Sequence, residues 1–245
     1  MSPMRINLWS GPRNISTAMM RAFGNRADCV VLDEPFYGVY LAATGVDHPL
    51  RAEVLAAWPT DWRRVAAQLT GPVAGGRSIL YAKQMTHHMI PEIELSWTEG
   101  CANAFLVRAP EEVLASYAVR RPDVTFDDLG FARQAELFDI EAARLGRPPP
   151  VIDARDVLED PRRALTLLCE ALGIPFDPAM LTWPAGRRLT DGPWAPAWYD
   201  AVERSTGFEA ATRPTNLEAL SPSLRHLAEA ARPYYERLAR YRLRL

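Results

Sequence analysis

A segment near the start of the chain carries one cation and two hydroxyls in an order typical of an anion-binding loop. An apolar run at 4–9 leads into a turn at 10–17, and a helix-like segment follows. A strand, a tight turn and a helix in this order leave unpaired backbone N–H groups and a partial positive charge at the helix N-terminus, which favours a phosphate or sulfate. Arg13, Ser16 and Thr17 would supply the cation and the hydroxyls. The segment therefore predicts a nucleotide-type ligand.

The same segment departs from the phosphate loop of nucleoside triphosphatases. That loop has two glycines separated by four residues and followed by Lys and Ser or Thr. Here Gly11 is the one glycine, and Arg13 precedes the hydroxyl pair instead of adjoining it. The alternative is an ordinary helix start in which Ser16 or Thr17 caps the first turn. Both interpretations stay open on this segment alone.

A second candidate anion site lies in the middle of the chain. Arg108 follows an apolar run, and Ser116 comes eight residues later, about two turns into the next helix-like segment. An arginine can bind a phosphate through two hydrogen bonds, and the serine adds a neutral donor on the same side. The alternative is an arginine that reaches from a strand end to solvent and a serine within an ordinary helix.

The first loop resembles the 5′-phosphosulfate loop of sulfotransferases, commonly Pro-Lys/Arg-Ser-Gly-Ser/Thr-Thr. Arg13, Ser16 and Thr17 match, while Asn14 and Ile15 stand where the family has Ser-Gly. A β-branched residue at 15 disfavours a positive φ and narrows the turn. The resemblance implies that this loop holds the donor 3′-phosphoadenosine 5′-phosphosulfate, with Arg13 stabilising the leaving group and the sulfuryl oxygens, and it implies no metal.

The second site resembles the 3′-phosphate site of the same family, Arg-x-Pro/Ala-x-Asp-x-x-x-Ser-Tyr. Arg108 and Ser116 match it at the family's own spacing. With the first loop, they would form one clamp for the two phosphates of the product adenosine 3′,5′-bisphosphate.

Residues 187–194 resemble the family's Arg-Lys-Gly-x-x-Gly-Asp-Trp loop, which closes over the 3′-phosphate. Arg187, Gly192 and Trp194 match. The resemblance implies that Arg187 and Arg188 cradle the phosphate and that Trp194 shields it. The alternative is a solvated pair of arginines. The likeness runs from residue 4 to about residue 210.

Sulfuryl transfer needs a group that takes the proton of the acceptor, and three side chains are candidates. Glu34 ends an apolar run in a Glu-Pro-Phe sequence, where some bacterial sulfotransferases carry a carboxylate proposed as base. Many members have Lys-Thr-His; Lys83 matches the lysine, but Met85 occupies the histidine position, and His87 and His88 come later. We place Glu34 slightly ahead of His87, with His88 third. The alternative for Glu34 is a structural ion pair with Lys83.

The elements that would position these residues alternate along the chain. Short apolar runs predict strands at 6–9, 29–32, 78–83, 104–107 and 150–153. Amphipathic segments predict helices at 16–25, 59–69, 110–120, 126–145, 161–172, 195–204 and 222–240. The alternation indicates an α/β fold, a three-layer sandwich with a mostly parallel central sheet and helices on both faces. The loops after residues 9, 32, 83 and 107 should share one mouth, because such sheets bind ligands at the carboxyl ends of their strands.

We expect one domain over 1–245, with a helical insert at about 37–75 and a C-terminal helix at 222–240. A loop at 182–208, rich in Pro, Gly and Trp, could close over a site. Six aromatic residues would line an acceptor pocket, favouring an aromatic or apolar small molecule, or belong to the core. They are Trp58, Trp62, Trp183, Trp194, Trp198 and Tyr199.

Composition limits the classes of function. The 245 residues are 48% hydrophobic and 24% charged, and the net charge of −2 argues against nucleic acid as a partner. The three cysteines sit far apart in apolar runs and predict free buried thiols, without a metal site. No signal peptide or membrane span is expected, so the cytoplasm is the default. The oligomeric state stays open, a homodimer included. A nucleotide-dependent kinase and a non-catalytic binding module remain alternatives to a sulfotransferase.

Overall fold

The computed structural model describes residues 3–119, 123–209 and 217–245. Five strands form one sheet in the order β2-β3-β1-β4-β5, and all four pairings are parallel. The strands are β1 (Met4–Ser10), β2 (Cys29–Asp33), β3 (Ile79–Met85), β4 (Ala102–Val107) and β5 (Val151–Asp153). Each predicted strand is present, with bounds that differ by one or two residues.

The register of the sheet aligns the strand ends that carry the candidate residues. Ser10, the last residue of β1, pairs with Met85 on one side and Leu106 on the other, and Asp33 pairs with Lys83. The loop that follows β1 therefore lies between the ends of β3 and β4.

Helices cover both faces of the sheet, so the predicted three-layer α/β architecture is confirmed. One face packs against α1 and α8 through residues such as Leu8 and Phe23, and the other packs against α6 through Trp9, Phe105 and Phe138. Burial of these apolar side chains drives the layering. The helices are α1 (Ser16–Gly24), α2 (Tyr37–Thr44), α3 (Arg51–Ala57), α4 (Trp62–Thr70), α5 (Pro110–Tyr117), α6 (Phe131–Leu145), α7 (Ala154–Glu159), α8 (Pro161–Leu172), α9 (Ala195–Trp198), α10 (Asp200–Arg204) and α11 (Pro222–Ala239).

Several predicted helix bounds were wrong. The helix expected at 126–145 begins at Phe131, because Gly130 has a φ of 69° and a Cβ there would lie 2.6 Å from Thr86 Oγ1. The helix expected at 195–204 is two short helices, α9 and α10, and that expected at 59–69 begins at Trp62. The helix expected at 110–120 ends at Tyr117, and residue 120 lies outside the described residues.

The segment at 37–75, predicted as a helical insert, contains the three helices α2, α3 and α4. Of the helices in the described part of the chain, none is both long and apolar enough to cross a membrane.

Candidate active site

A cleft of about 360 Å³ lies at the carboxyl ends of the central strands. Its walls include the loop after β1, Glu34 after β2, Lys83 in β3 and Arg108 after β4. The predicted meeting of these strand ends at one mouth is confirmed. A cavity of this size suits a small-molecule ligand.

The loop after β1 places its positive φ at Arg13 (53°), whereas Ile15 has an ordinary φ of −84°. Ile15 therefore fits the turn without the strain that a β-branched residue would otherwise introduce. Asn14 holds the turn in place: its Nδ2 donates to Leu106 O at 3.1 Å, and its Oδ1 accepts from Ile15 N at 2.8 Å. Gly11 is needed for close packing, because a Cβ there would lie 2.6 Å from Leu129 O.

The helix that follows this loop begins as an anion site would require. The helix α1 starts at Ser16, its N-cap residue Ile15 makes no side-chain capping hydrogen bond, and Ser16 and Thr17 both line the cleft. The alternative in which Ser16 or Thr17 caps the first turn is not what the structure shows. The N-terminal end of α1, with its positive dipole end, therefore borders the cleft.

The residues of the second predicted anion site contact those of the first. Arg13 Nε donates to Ser116 Oγ at 3.0 Å, and Arg108 Nη1 donates to Arg13 O at 3.0 Å. Arg108 Nε also donates to Glu112 Oε2 at 3.0 Å, an ion pair within the first turns of α5. Arg13, Arg108 and Ser116, three of the residues that the sequence assigned to the two phosphates, therefore meet in one cleft.

A buried cluster of charges forms the floor of the cleft. Lys83 Nζ donates to Glu34 Oε1 at 2.7 Å, to Asp33 Oδ1 at 3.0 Å and to Tyr199 Oη at 2.5 Å. Tyr199 Oη donates to Asp33, with oxygen separations of 2.7 and 2.8 Å, and accepts from Trp194 Nε1 at 3.0 Å. The sequence left open that Glu34 and Lys83 form a structural ion pair, and this ion pair is present. It belongs to a larger hydrogen-bonded network that borders the cleft.

Burial sets the proton affinities within this cluster. It raises the pKa of Glu34, with the charge of Asp33 adding to the effect and the charge of Lys83 opposing it. Burial alone would lower the pKa of Lys83. The charges of the Asp33 and Glu34 carboxylates outweigh this effect, and the pKa of Lys83 is raised. Burial raises the pKa of Tyr199 well above its usual value, and the same two carboxylates add to this. Lys83 therefore stays charged, Tyr199 stays protonated, and Glu34 is the group poised to exchange a proton.

Both predicted histidines line the cleft, and burial keeps them neutral. Burial lowers the pKa of His87 to about 3 and that of His88 well below its usual value. The ring of His88 stacks between Tyr37 and Tyr40, with centroids 4.5 and 4.9 Å away. His88 Nδ1 lies 3.9 Å from Glu34 Oε2 and has no hydrogen-bond partner among the described residues.

The segment at 187–194 has one end at the protein surface and the other end at the cleft. Trp194 lines the cleft, but Arg187 is exposed and neither arginine is among the residues of its walls. Arg188 donates through its backbone N–H to Asp191 Oδ2 at 2.7 Å and through its side chain to Pro184 O at 3.3 Å. The structure thus brings Trp194 to the site without bringing Arg187 or Arg188.

The packing of Trp194 against the backbone leaves no space for a side chain at Gly192. A Cβ at this position would lie 2.2 Å from the ring of Trp194, and its backbone N–H donates to Asp33 Oδ2 at 3.1 Å. Gly192 therefore lets Trp194 fold back over the chain and ties that segment to the end of β2.

The six aromatic residues separate into wall and core. Trp194, Trp198 and Tyr199 line the cleft, and Trp58 packs edge-on against Trp194. Trp183 belongs to the core beside β1, and Trp62 packs against the core on the other face. Neither of these two residues is among those that line the cleft.

Sequence reasoning did not assign roles to Asp33, Tyr37 or His48, and it treated Tyr199 only as a wall. Tyr37 and His48 line the cleft, and Tyr37 Oη lies 2.9 Å from His48 Nδ1. Asp33 could have been found as a second carboxylate next to Glu34 at a strand end. Within the described ranges, no group of three or more His, Cys, Asp or Glu side chains is arranged to hold a metal ion.

Comparisons with known proteins agree with this architecture. The family model described as "Sulfotransferase domain" matches residues 4–241. An Arabidopsis thaliana protein named branched-chain-amino-acid aminotransferase-like protein 2 is 34% identical over 206 residues, which are 84% of this chain and 36% of that protein. The chain thus spans about a third of that relative's length.

Two solved structures share the fold. The sulfotransferase domain from the curacin biosynthetic pathway has a TM-score of 0.55 at 17% identity, covering 93% of this chain and 97% of that one. A mouse sulfotransferase, SULT7A1, solved in complex with PAP, has a TM-score of 0.50 at 13% identity, covering 96% and 85%. At these identities the likeness concerns the fold alone.

Proposed function

The chain belongs to the sulfotransferase family, and on that premise we propose that it transfers a sulfuryl group from 3′-phosphoadenosine 5′-phosphosulfate to a hydroxyl or amine of a small acceptor. One observation carries the proposal. Arg13, Ser116 and Arg108, which come from two distant segments, contact one another beside the open N-terminus of α1. Two anion sites in one cleft suit a donor with phosphate groups at both ends of its ribose.

The donor would lie with its 5′ end on the loop at 13–17 and its 3′-phosphate toward Arg108 and Ser116. The mouse sulfotransferase that shares this fold was solved with PAP, the adenosine 3′,5′-bisphosphate that such a donor leaves behind, which supports the same ligand here. When bound, the donor supplies the sulfuryl group and a phosphate leaving group. Arg13 and the hydroxyls of Ser16 and Thr17 would stabilise the negative charge on that phosphate.

We assign the role of base to Glu34. Burial raises the pKa of Glu34 and so strengthens it as a proton acceptor, whereas burial lowers the pKa values of His87 and His88 and so weakens them. Lys83, which contacts Glu34 at 2.7 Å, would remain charged beside the transferring group.

His88 would position the acceptor oxygen. The 3.9 Å between His88 Nδ1 and Glu34 Oε2 is too long for a direct hydrogen bond, but an acceptor oxygen lying off the line between them could be within hydrogen-bond distance of both atoms. An acceptor hydroxyl there would donate to Glu34 and accept from His88. Aromatic walls at Tyr37, Trp194 and Trp198 favour an acceptor with an apolar or ring-bearing body.

Ligand binding tests the proposed donor site. At about one hundred times its dissociation constant, adenosine 3′,5′-bisphosphate should stabilise the protein by about 2.7 kcal/mol and raise the Tm by several degrees. Arg108→Ala should weaken binding at least about tenfold, because it removes a charge-assisted phosphate contact.

Arg237→Ala is the matched control for that variant. Arg237 forms an exposed ion pair with Asp139 at 2.6 Å and is not part of the walls of the cleft, so affinity should not change. A thermal shift with ATP–Mg²⁺ and none with adenosine 3′,5′-bisphosphate would overturn the proposal in favour of a kinase. Binding in which Arg108 plays no part would overturn the assignment of the 3′-phosphate site.

A further inference from the structure

Lys83 has two buried carboxylate partners, although one carboxylate would be enough to neutralise the charge of its ammonium group. Its Nζ lies 3.0 Å from Asp33 Oδ1 and 2.7 Å from Glu34 Oε1, and the side chains of Lys83 and Asp33 are 2% and 0% exposed. With all three groups ionised, the trio carries one net negative charge, and the side chain of Glu34 is the most exposed of the three at 11%. Burial of such a charge favours the uptake of a proton by one of the two carboxylates.

The two carboxylates have different surroundings. Asp33 accepts from Lys83, from the hydroxyl of Tyr199 and from the backbone N–H of Gly192, so three separate parts of the chain hold it. Hydrogen bonds from donors of this kind stabilise a carboxylate. Glu34 instead lines the cleft and directs Oε2 toward His88. Glu34 is therefore the carboxylate that a bound acceptor can reach, while Asp33 is held away from the cleft by Lys83, Tyr199 and Gly192.

We propose that Asp33 is a positioning residue, which competes with Glu34 for the ammonium of Lys83 and thereby keeps Glu34 able to accept the proton of the acceptor. This inference rests on the function proposed above. Without Asp33, Glu34 would be the only carboxylate partner of Lys83, and the undivided charge of the ammonium would lower the affinity of Glu34 for a proton. Titratable and charged groups near Glu34 come from every neighbouring element; they are Asp33, Lys83, Tyr199, His87, His88 and His48.

The test reads the protonation of Glu34 directly, so it needs neither a known acceptor nor turnover. Infrared spectra of the full chain, recorded across pH, contain a protonated-carboxyl band that Glu34→Gln should remove. In Asp33→Asn the midpoint of that band should move to lower pH by roughly one unit or more, because the competing charge is gone.

Asp153→Asn is the matched control. Asp153 also ends a strand, is buried, and accepts from a tyrosine hydroxyl, Tyr235 Oη, at 2.8 Å, but unlike Asp33 it lies at the end of β5 and is not a partner of Lys83. The midpoint of Glu34 should not move in this variant. A shift as large as that of Asp33→Asn would mean that general loosening of the sheet edge causes the effect, and it would overturn the proposal.

Lys83→Met keeps the proposal testable if Asp33→Asn does not fold. Removing the shared cation should move the midpoint of Glu34 to higher pH, because Lys83 lowers its proton affinity. An unchanged midpoint in either folded variant would show that Asp33 and Glu34 do not share Lys83, and it would overturn the inference. A wild-type protein that binds no adenosine 3′,5′-bisphosphate would instead overturn the proposed function and leave this titration readable.

Discussion

At the scale of single residues, backbone strain coincides with the proposed chemistry. Among the described residues, three that are not glycine have a positive φ, and two of them, Arg13 (53°) and Glu34 (42°), line the cleft. Such conformations cost free energy and persist where the surrounding contacts impose them. Here they present the proposed leaving-group cation and the proposed base to the same space.

The raised pKa of Glu34 has a consequence for stability. Burial raises this pKa above its ordinary value of 4.5, so the folded chain binds the proton more tightly than the unfolded chain. Stability from this group is complete below about pH 4.5 and is lost as pH rises through the folded pKa. The free energy of unfolding should therefore fall with pH above 4.5 more steeply in the wild type than in Glu34→Gln.

Urea denaturation at a series of pH values measures that difference in slope. Glu136→Gln is the control, because Glu136 is 57% exposed in a surface ion pair with Arg133 and should leave the slope unchanged. Equal slopes in the wild type and in Glu34→Gln would contradict the raised pKa.

At the scale of elements, a buried ion pair ties the phosphate-loop helix to the segment before Trp194. Arg21 in α1 binds Asp191 through two contacts of 2.7 Å, and their side chains are 2% and 0% exposed. Asp191 also accepts from Arg188 N, which fixes the turn that leads to Gly192. This pair joins the segment that carries Trp194 to α1, the helix that begins at the proposed anion site.

Breaking the pair should be costly. Asp191→Asn leaves the buried Arg21 without its counter-charge and should lower the free energy of unfolding by about 3 to 5 kcal/mol. Asp139→Asn breaks an equally short but exposed pair with Arg237 and should cost less than about 1 kcal/mol. Chemical denaturation measures both, and equal costs would show that the buried pair does not hold the segment.

The elements that were predicted best from the sequence are those whose start and end are marked by residues within the element or next to it. The strands are short apolar runs bounded by polar residues, and α8 begins at Pro161 after the capping Asp160, ending before Gly173. The helices α2, α3 and α7 were not predicted individually, because each is eight residues or shorter and carries too few turns for a clear periodicity. The interruption at Gly130 depends on Thr86, which lies on another element.

At the scale of the whole molecule, the site is built from residues that are far apart in the sequence and are brought together by the order of the strands. The sheet order places β1 between β3 and β4, so the loop after β1 lies beside both Lys83 and Arg108. Motifs within one segment, such as Arg13 to Thr17 or Arg108 with Ser116, could be recognised from sequence. The contact of Tyr199 with Asp33 spans 166 residues, and nothing local to either residue indicates it.

The family assignment concerns a domain that also occurs within longer proteins. The chain corresponds to 36% of the length of the Arabidopsis relative, whose name refers to an aminotransferase-like protein. The architecture of one sheet with its cleft is contained in the described residues, so the site can be tested on this chain as it stands.

The central claim is that this cleft transfers a sulfuryl group with Glu34 as base. The most direct measurement incubates the protein with 3′-phosphoadenosine 5′-phosphosulfate and a panel of hydroxyl and amine acceptors, and follows sulfated product and adenosine 3′,5′-bisphosphate together by mass spectrometry. We expect equal amounts of both from the wild type, and a loss of at least about 100-fold in Glu34→Gln with affinity for adenosine 3′,5′-bisphosphate retained. Full transfer by Glu34→Gln, or donor binding without acceptor-dependent product across the panel, would contradict the account.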